Sequence, residues 1–274
     1  MVDSATQVLI HGAAGRMGLR LAALAGEGED DGAGALSVAA AVDRPGHPLL
    51  GRDVGAAAGV GPLGVELREA WPDAATAVDV VIDFSTPEAL RPAIDRCVEH
   101  RWALVVGTTG LTDADQDRLD AAAHDIAVLQ ASNFSRVVNV LWKLAGDAAR
   151  LLGDGYDIEV LEAHHRFKRD APSGTALTLV RELCNATGRD FDEHVVYARH
   201  GDAPRGERDI TVQTLRIGDD PGQHTAYFAG LGERLELKHV STSRDSYARG
   251  ALDAAKWLAG KPAGRYAMHD VLGV

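Results

Sequence analysis

The sequence predicts an α/β protein: a Rossmann-like domain joined to an α+β domain with an open mixed sheet. Two observations carry this reading. Over the first half, short apolar runs alternate with helical patterns, the signature of a parallel sheet with helices on both faces. Past the middle the alternation stops, and three strand-like runs follow one another with only turns between them. The predicted division is 1–133, rejoined by a C-terminal helical segment 242–274, against 134–241.

Gln7–His11 is the first apolar run, and it ends in Gly12-Ala13-Ala14-Gly15-Arg16-Met17-Gly18. Met17, Leu21 and Leu24 then share one helical face, and the helix stops near Gly26. Glu27–Gly34 is acidic and glycine-bearing, a surface turn. Leu36–Val42 reads as a second buried strand, closed by Asp43-Arg44-Pro45-Gly46, and Pro45–Gly64 has no periodicity beyond loop. Val78–Phe84 is the next strand. Thr86 before Pro87 is an N-cap with proline at the first helical position, opening a helix to about His100. Ala103–Gly107 and Ile126–Ala131 are strands around a helix at Asp113–His124.

Ser135–Leu152 places Val137, Val140, Leu141, Leu144, Ala148 and Leu151 at helical spacing and predicts one long amphipathic helix. Asp157–Ala163 follows as a strand and Ser173–Ala186 as a helix. Asp209–Ile217, Gln223–Ala229 and Arg234–Ser241 are the three successive strands. Tyr247–Leu258 is a last helix, expected to pack back on the first domain.

Composition narrows the function classes. The net charge of −12 over 274 residues argues against nucleic acid, which needs a basic face. No apolar run approaches the roughly eighteen residues that read as a membrane-spanning helix. Met1–Gln7 lacks a cationic segment, so no secretory signal is expected. Cys97 and Cys184 lie in predicted helices without a CxxC partner, as buried thiols of a reducing, cytoplasmic compartment would. Only 5 lysines stand against 23 arginines and 40 acids. Adaptation to high salt and a GC-rich genome account for that bias equally well.

Gly12-x-x-Gly15-x-x-Gly18 sits where a strand turns into a helix. There the first glycine permits a tight turn, the second lets backbone N–H groups approach a pyrophosphate, and the third allows helix to pack on strand. The spacing departs from the GxGxxG fingerprint, and a glycine turn of some other α/β protein is the alternative. Asp43 ends the second strand, where an acid takes the hydroxyls of an adenosine ribose and repels a 2′-phosphate. Arg44 and Arg16 are each able to pair with that phosphate, so both NADH and NADPH stay open. Gly107-Thr108-Thr109-Gly110 ends another strand at the edge where such sheets bind ligands.

Glu162-Ala163-His164-His165-Arg166-Phe167-Lys168-Arg169-Asp170-Ala171-Pro172-Ser173-Gly174-Thr175 is the most unusual stretch. Cations and two histidines precede a helix start, in an otherwise acidic chain. Ser173, Gly174 and Thr175 would offer a carboxylate the N–H groups and hydroxyl of a helix N-terminus. Lys168 is a compact charge and a proton donor once desolvated, and a histidine exchanges protons near neutrality. Adjacent histidines without nearby cysteine do not have metal-ligand spacing, so no metal is expected.

These segments resemble the dihydrodipicolinate reductase family nearly end to end. GAAGRMG at Gly12–Gly18, VIDFSTPE at Val81–Glu88, GTTG at Gly107–Gly110 and ASNFS at Ala131–Ser135 carry the likeness. EAHHRFKRDAPSGTA at Glu162–Ala176 and GERLELKH at Gly232–His239 continue it. The resemblance implies an oxidoreductase of lysine and diaminopimelate biosynthesis. Such an enzyme reduces a cyclic dicarboxylic imine precursor to tetrahydrodipicolinate with NADH or NADPH and no metal. It also implies that 1–133 binds the dinucleotide, and that 134–241 binds substrate and joins a homotetramer through its sheet.

His164 would be the proton donor or acceptor and Lys168 the second proton donor. His165, Ser173, Gly174, Thr175 and Arg234 would contact the substrate. Gly12, Ala13, Ala14, Gly15, Arg16, Met17, Asp43, Arg44, Gly107, Thr108, Thr109, Ala131, Ser132, Asn133 and Phe134 would hold the cofactor. Relatives often carry glutamate where this chain has Asp43, which leaves the cofactor preference open. A related amino-acid dehydrogenase would lack the HHxxK and SGT elements together. A non-catalytic nucleotide sensor would have no use for a cationic dicarboxylate pocket.

Overall fold

The computed structural model describes residues 5–27, 35–73 and 75–274. Met1–Ser4, within the segment read as lacking a secretory signal, and all but the first residue of the Glu27–Gly34 turn lie outside the described residues. The chain forms two compact units, Met1–Phe134 with Asp245–Val274, and Ser135–Arg244.

The first unit holds a 7-stranded, wholly parallel sheet. Its strands are β1 (Thr6–His11), β2 (Leu36–Val42), β3 (Leu67–Arg68), β4 (Val80–Asp83), β5 (Ala103–Val106), β6 (Ala127–Gln130) and, from the other end of the chain, β12 (Gly264–Tyr266). The spatial order β12-β6-β5-β4-β1-β2-β3 reverses direction between β1 and β4. That reversal opens a crevice at the carboxyl ends of the strands. Strands buried on both faces read as continuous apolar runs. Accordingly Val8 and Ile10 enter one core with helix α1 (Arg16–Glu27), while Leu9 enters the opposite core with Leu90, Ile94 and Leu119.

Local signals fixed most boundaries. Thr86 caps α3 (Pro87–His100) with its side chain, and Thr112 forms a capping box at α4 (Asp113–Ala122). Helix α8 (Asp245–Leu258) puts Ala248, Ala251, Ala255 and Leu258 into the first unit's core, as expected of the last long helix. The Pro45–Gly64 stretch is more than loop. It contains α2 (Val54–Ala58), capped by Asp53, whose carboxylate also takes the N–H groups of Leu63, Gly64 and Val65. A five-residue helix of small residues leaves no periodicity, so it was invisible in the pattern. Strands β3 and β12 and helix α9 (Met268–Leu272) escaped for the same reason.

In the second unit, α5 (Arg136–Leu152) leads into β7 (Asp157–His164) and α6 (Gly174–Thr187). The short α7 (Phe191–His194) and β8 (Val195–Tyr197) were not foreseen; β9 (Ile210–Arg216), β10 (Gly222–Ala229) and β11 (Arg234–Ser241) complete the unit. The 5-stranded sheet has the order β11-β10-β7-β9-β8 and is mixed. β7 runs parallel to β9 and antiparallel to β10, so it separates strands adjacent in sequence. Leu141, Ala145 and Ala149 of α5 and Leu179, Val180 and Leu183 of α6 pack on Ile158, Val160, Val212, Ala226 and Phe228.

The buried stripe of α5 is thus shifted from the one its spacing suggested. Val137, Val140, Leu144 and Leu151 remain exposed, because a wide apolar arc exceeds what a single neighbouring layer covers.

Candidate functional site

In the first unit the glycine loop bends as its spacing required. Gly12 has φ +77, and a Cβ there would stand 2.6 Å from the Phe84 carbonyl oxygen. A Cβ on Gly18 would fall 2.3 Å from the Gly12 oxygen, so helix α1 approaches the turn as closely as glycine allows. Asp43 follows β2, and its carboxylate accepts the Ala14 N–H at 2.7 Å and the Arg44 N–H at 2.8 Å. Asp43 and the loop are therefore tied to each other. Arg16 and Arg44 are exposed. A glycine cradle of this shape fits a dinucleotide pyrophosphate.

The strands ending beside this loop bring Gly107–Thr109 and Ala131–Phe134 to the same edge of the sheet. Gly107 lies under the Phe84 ring, where a Cβ would meet Cε1 at 2.3 Å, and Phe134 packs on Phe84 at 5.5 Å between centroids. Asn133 is buried and Thr109 exposed. Thr108 is turned inward: its hydroxyl takes the Ser85 N–H at 2.9 Å and bonds Asp83 Oδ1 at 2.5 Å. Asp83 is fully buried, and its other oxygen meets His11 Nδ1 at 2.5 Å and the Ser85 hydroxyl at 2.8 Å. Neither His11 nor Asp83 has a role legible in the sequence: His11 reads as one polar residue ending an apolar strand, and Asp83 is one residue of the VIDFSTPE segment.

In the second unit one face of the sheet changes character along its length. Toward one end it carries Ile158, Val160, Val212, Ala226 and Phe228, all core. Two residues further on, the strand alternation puts Glu162 and His164 of β7 on that same face. Glu162 pairs across with Thr214 of β9 and with His224 of β10, and His224 with His239 of β11. His164 pairs across with Arg216. The layer that begins as a core thus ends as a row of polar side chains.

Glu162 is the centre of that row and is fully buried. Its Oε2 meets His164 Nδ1 at 2.6 Å and Arg216 Nη1 at 3.0 Å. Its Oε1 accepts from Arg216 Nη2 at 3.0 Å, from the Ser173 N–H at 3.0 Å and from the Thr214 hydroxyl at 3.2 Å. Burial pushes its pKa up, but His164, Arg216 and the Ser173 amide outweigh it and hold the carboxyl down at about 2. Next to it, His164 meets the His224 ring edge-on at 5.3 Å, and His224 stacks near His239 at 5.9 Å. Burial, and after it the neighbouring imidazoles of His164 and His239, lower His224 to about 3. Burial lowers His239 as well. Both are neutral imidazoles at neutral pH.

The remaining expected residues divide clearly. Ser173 caps α6 by accepting the Ala176 N–H, and its Oγ lies 3.2 Å from His224 Nε2. Its amide donates to Glu162, so both its amide and its hydroxyl are bonded within the protein. Gly174 is exposed and Thr175 half-buried at the same helix start. His165 is half-buried beyond the strand end. Lys168 Nζ pairs with the exposed Asp170 at 2.9 Å.

Arg234 is not brought to the cluster. It stands at the far end of β11 from His239 and, by strand alternation, on the opposite face, paired with Glu236 at 2.6 Å. Arg216 supplies a half-buried guanidinium instead. Only the register of β7 on β9 joins it to Glu162, and no local pattern encodes that register.

Comparison with known proteins matches both parts of the chain. Residues 6–134 match the family described as "Dihydrodipicolinate reductase, N-terminus", and residues 137–272 its C-terminal counterpart. A 4-hydroxy-tetrahydrodipicolinate reductase of Alkalilimnicola ehrlichii is 48% identical over 98% of this chain and 99% of its own length. One from an Anaeromyxobacter species is 49% identical over 97% of each chain. Among solved structures, a dipicolinate-bound dihydrodipicolinate reductase from a Paenisporosarcina species superposes with a TM-score of 0.74. It is 21% identical over 96% of this chain and 98% of its own, a likeness of fold.

Proposed function

The chain belongs to the dihydrodipicolinate reductase family, and from that premise we propose how its own residues divide the work. The activity is the NAD(P)H-dependent reduction of 4-hydroxy-tetrahydrodipicolinate to tetrahydrodipicolinate, a step of diaminopimelate and lysine biosynthesis. The first unit binds the dinucleotide through Gly12–Met17, Asp43, Arg44, Gly107–Thr109 and Ala131–Phe134. When bound, its dihydronicotinamide ring supplies the hydride. The tie between Asp43 and the Ala14 amide supports a ribose contact, while the exposed Arg16 and Arg44 support a 2′-phosphate contact. Both cofactors are therefore used, and no metal takes part.

The second unit binds the dicarboxylate. The observation that carries this assignment is the polar end of its sheet, where His164 and Lys168 stand beside the exposed start of α6. A helix N-terminus offers N–H donors at Gly174 and Thr175 to one carboxylate. Lys168 exchanges its partner Asp170 for another, and His165 contacts the ring. Fixing the ring in this way turns an encounter into a positioned reaction. Loss of the 4-hydroxyl as water takes a proton from Lys168 or His164 and gives up the C3 proton to the same pair, which returns a proton to C3 once the ring is reduced at C4.

Outside the site, no helix among the described residues packs on the outer face of the second sheet, where Leu215 and Val240 are exposed. Those two exposed apolar side chains, on a face without a helix, support assembly into a homotetramer through these sheets. The two free, buried cysteines and the absence of a membrane-length apolar helix among the described residues support a cytoplasmic enzyme.

The test is consumption of NADH with the substrate made in place by dihydrodipicolinate synthase from pyruvate and aspartate semialdehyde. Consumption should depend on the synthase and should persist with NADPH. Folded protein that binds NADH but never consumes it would overturn the reading.

A further inference from the structure

Glu162 touches two parts of the site at once. Through Oε2 it holds His164 Nδ1, and through Oε1 it holds the amide of Ser173, the residue that caps α6. Arg216 grips both oxygens in the parallel, two-bond geometry that guanidinium and carboxylate share, which fixes the plane of the carboxylate. The Arg216 Nη2 also donates to the Asp170 carbonyl, in the turn between Lys168 and α6. An ionised carboxylate only accepts, so the His164 proton must sit on Nδ1, and Nε2 is left with the lone pair. Gly222 clears the space at that nitrogen: a Cβ at 222 would come within 2.9 Å of His164 Nε2.

We propose that Glu162 is the positioning residue of this site. It locks His164 as the Nδ1–H tautomer with Nε2 as the proton-exchanging atom, and it registers that imidazole against the α6 start that receives the substrate carboxylate. The inference rests on the reading of His164 as the acid/base group. Arg216 makes the device tolerant of turnover. When His164 gains or loses a proton, the buried carboxylate keeps a permanent counter-charge and its hydrogen bonds. His224 and His239, neutral and behind it, add no competing charge at neutral pH.

Two measurements test this. In the wild-type enzyme, nitrogen NMR of His164 should show the Nδ1–H tautomer in its neutral form. A neutral His164 protonated mainly on Nε2 would overturn the proposal. In Glu162→Gln, which keeps size and removes charge, kcat should fall roughly 100-fold, the lower end of what a positioned proton transfer contributes. The substrate KM should rise, since the α6 start is also released, while NADH affinity stays unchanged. The His164 nitrogen pattern should become a mixture of tautomers. Full kcat with an unaltered nitrogen pattern in Glu162→Gln would overturn the proposal. If Glu162→Gln does not fold, the wild-type tautomer decides alone. A wild-type protein that never consumes NADH would defeat the reading of the reaction, while the tautomer would still report whether Glu162 holds His164.

Discussion

Each unit buries one carboxylate near the end of a strand and sets a histidine Nδ1 against it. Asp83 meets His11 at 2.5 Å in the first unit, and Glu162 meets His164 at 2.6 Å in the second. The company around them differs. Asp83 is otherwise satisfied by the hydroxyls of Thr108 and Ser85, and His11 lies against the Trp71 ring at 5.0 Å. Glu162 has the Arg216 guanidinium, and His164 stands over a glycine. Hydroxyls fill lone pairs without supplying a charge, so Asp83 depends on His11 for any counter-charge and the pair acts as a lock. A guanidinium supplies the charge permanently, which frees the other histidine to exchange protons. The same pair is structural in one setting and able to work in the other.

The comparison breaks most readily at Arg216. Arg216→Ala leaves a buried, uncompensated carboxylate, a change that costs about 3–5 kcal/mol. Chemical denaturation should show that loss in the second unit's transition, together with a fall in turnover. Stability unchanged in Arg216→Ala would mean that Glu162 does not need its counter-charge.

Acid should expose the same difference. Glu162 is held at about 2, well below its ordinary 4.5, so it contributes stability that is complete above pH 4.5 and lost as pH falls through 2. The amount is about 3 kcal/mol. His224, lowered to about 3 from 6.5, acts in the same direction: its protonation in the unfolded chain withdraws stability as pH falls below 6.5. An acid titration followed by tryptophan fluorescence and circular dichroism should find the second unit weakening from about pH 6.5 downward. His224→Phe should flatten the upper part of that curve.

The first unit's pair predicts a smaller and different effect. Asp83→Asn should cost about 1–3 kcal/mol, the usual range for disturbing a buried hydrogen-bonded group. Thr108 should then loosen, raising the KM for NADH while kcat at saturating NADH changes little. A fall in kcat as large as that of Glu162→Gln would erase the distinction between the two pairs.

Both halves of the fold were legible where a local cause set the structure. Thr86 and Pro87 announced α3, and the alternation in Arg234–Ser241 announced β11 residue for residue. The site was legible as far as one segment carried it, from His164 to the start of α6. What stayed hidden depended on pairing between distant strands. Glu162 was quoted in the motif without a role, because Thr214 and Arg216 reach it only through the register of β9 on β7. Arg234, a substrate contact by the resemblance, is turned to the other face by strand alternation. In the first unit, Asp83 was quoted in a motif without a role and His11 gave no signal, since their network joins the ends of separate strands.

The central claim is that the chemistry belongs to the cationic end of the second sheet and not to the buried pair of the nucleotide unit. Lys168→Ala tests it most directly, with kcat measured in the synthase-coupled assay and NADH affinity measured by fluorescence titration of the same protein. The account predicts a fall in kcat on the order of 1,000-fold, within the range for losing a positioned proton donor, with NADH affinity unchanged. Near-normal turnover in Lys168→Ala would contradict it.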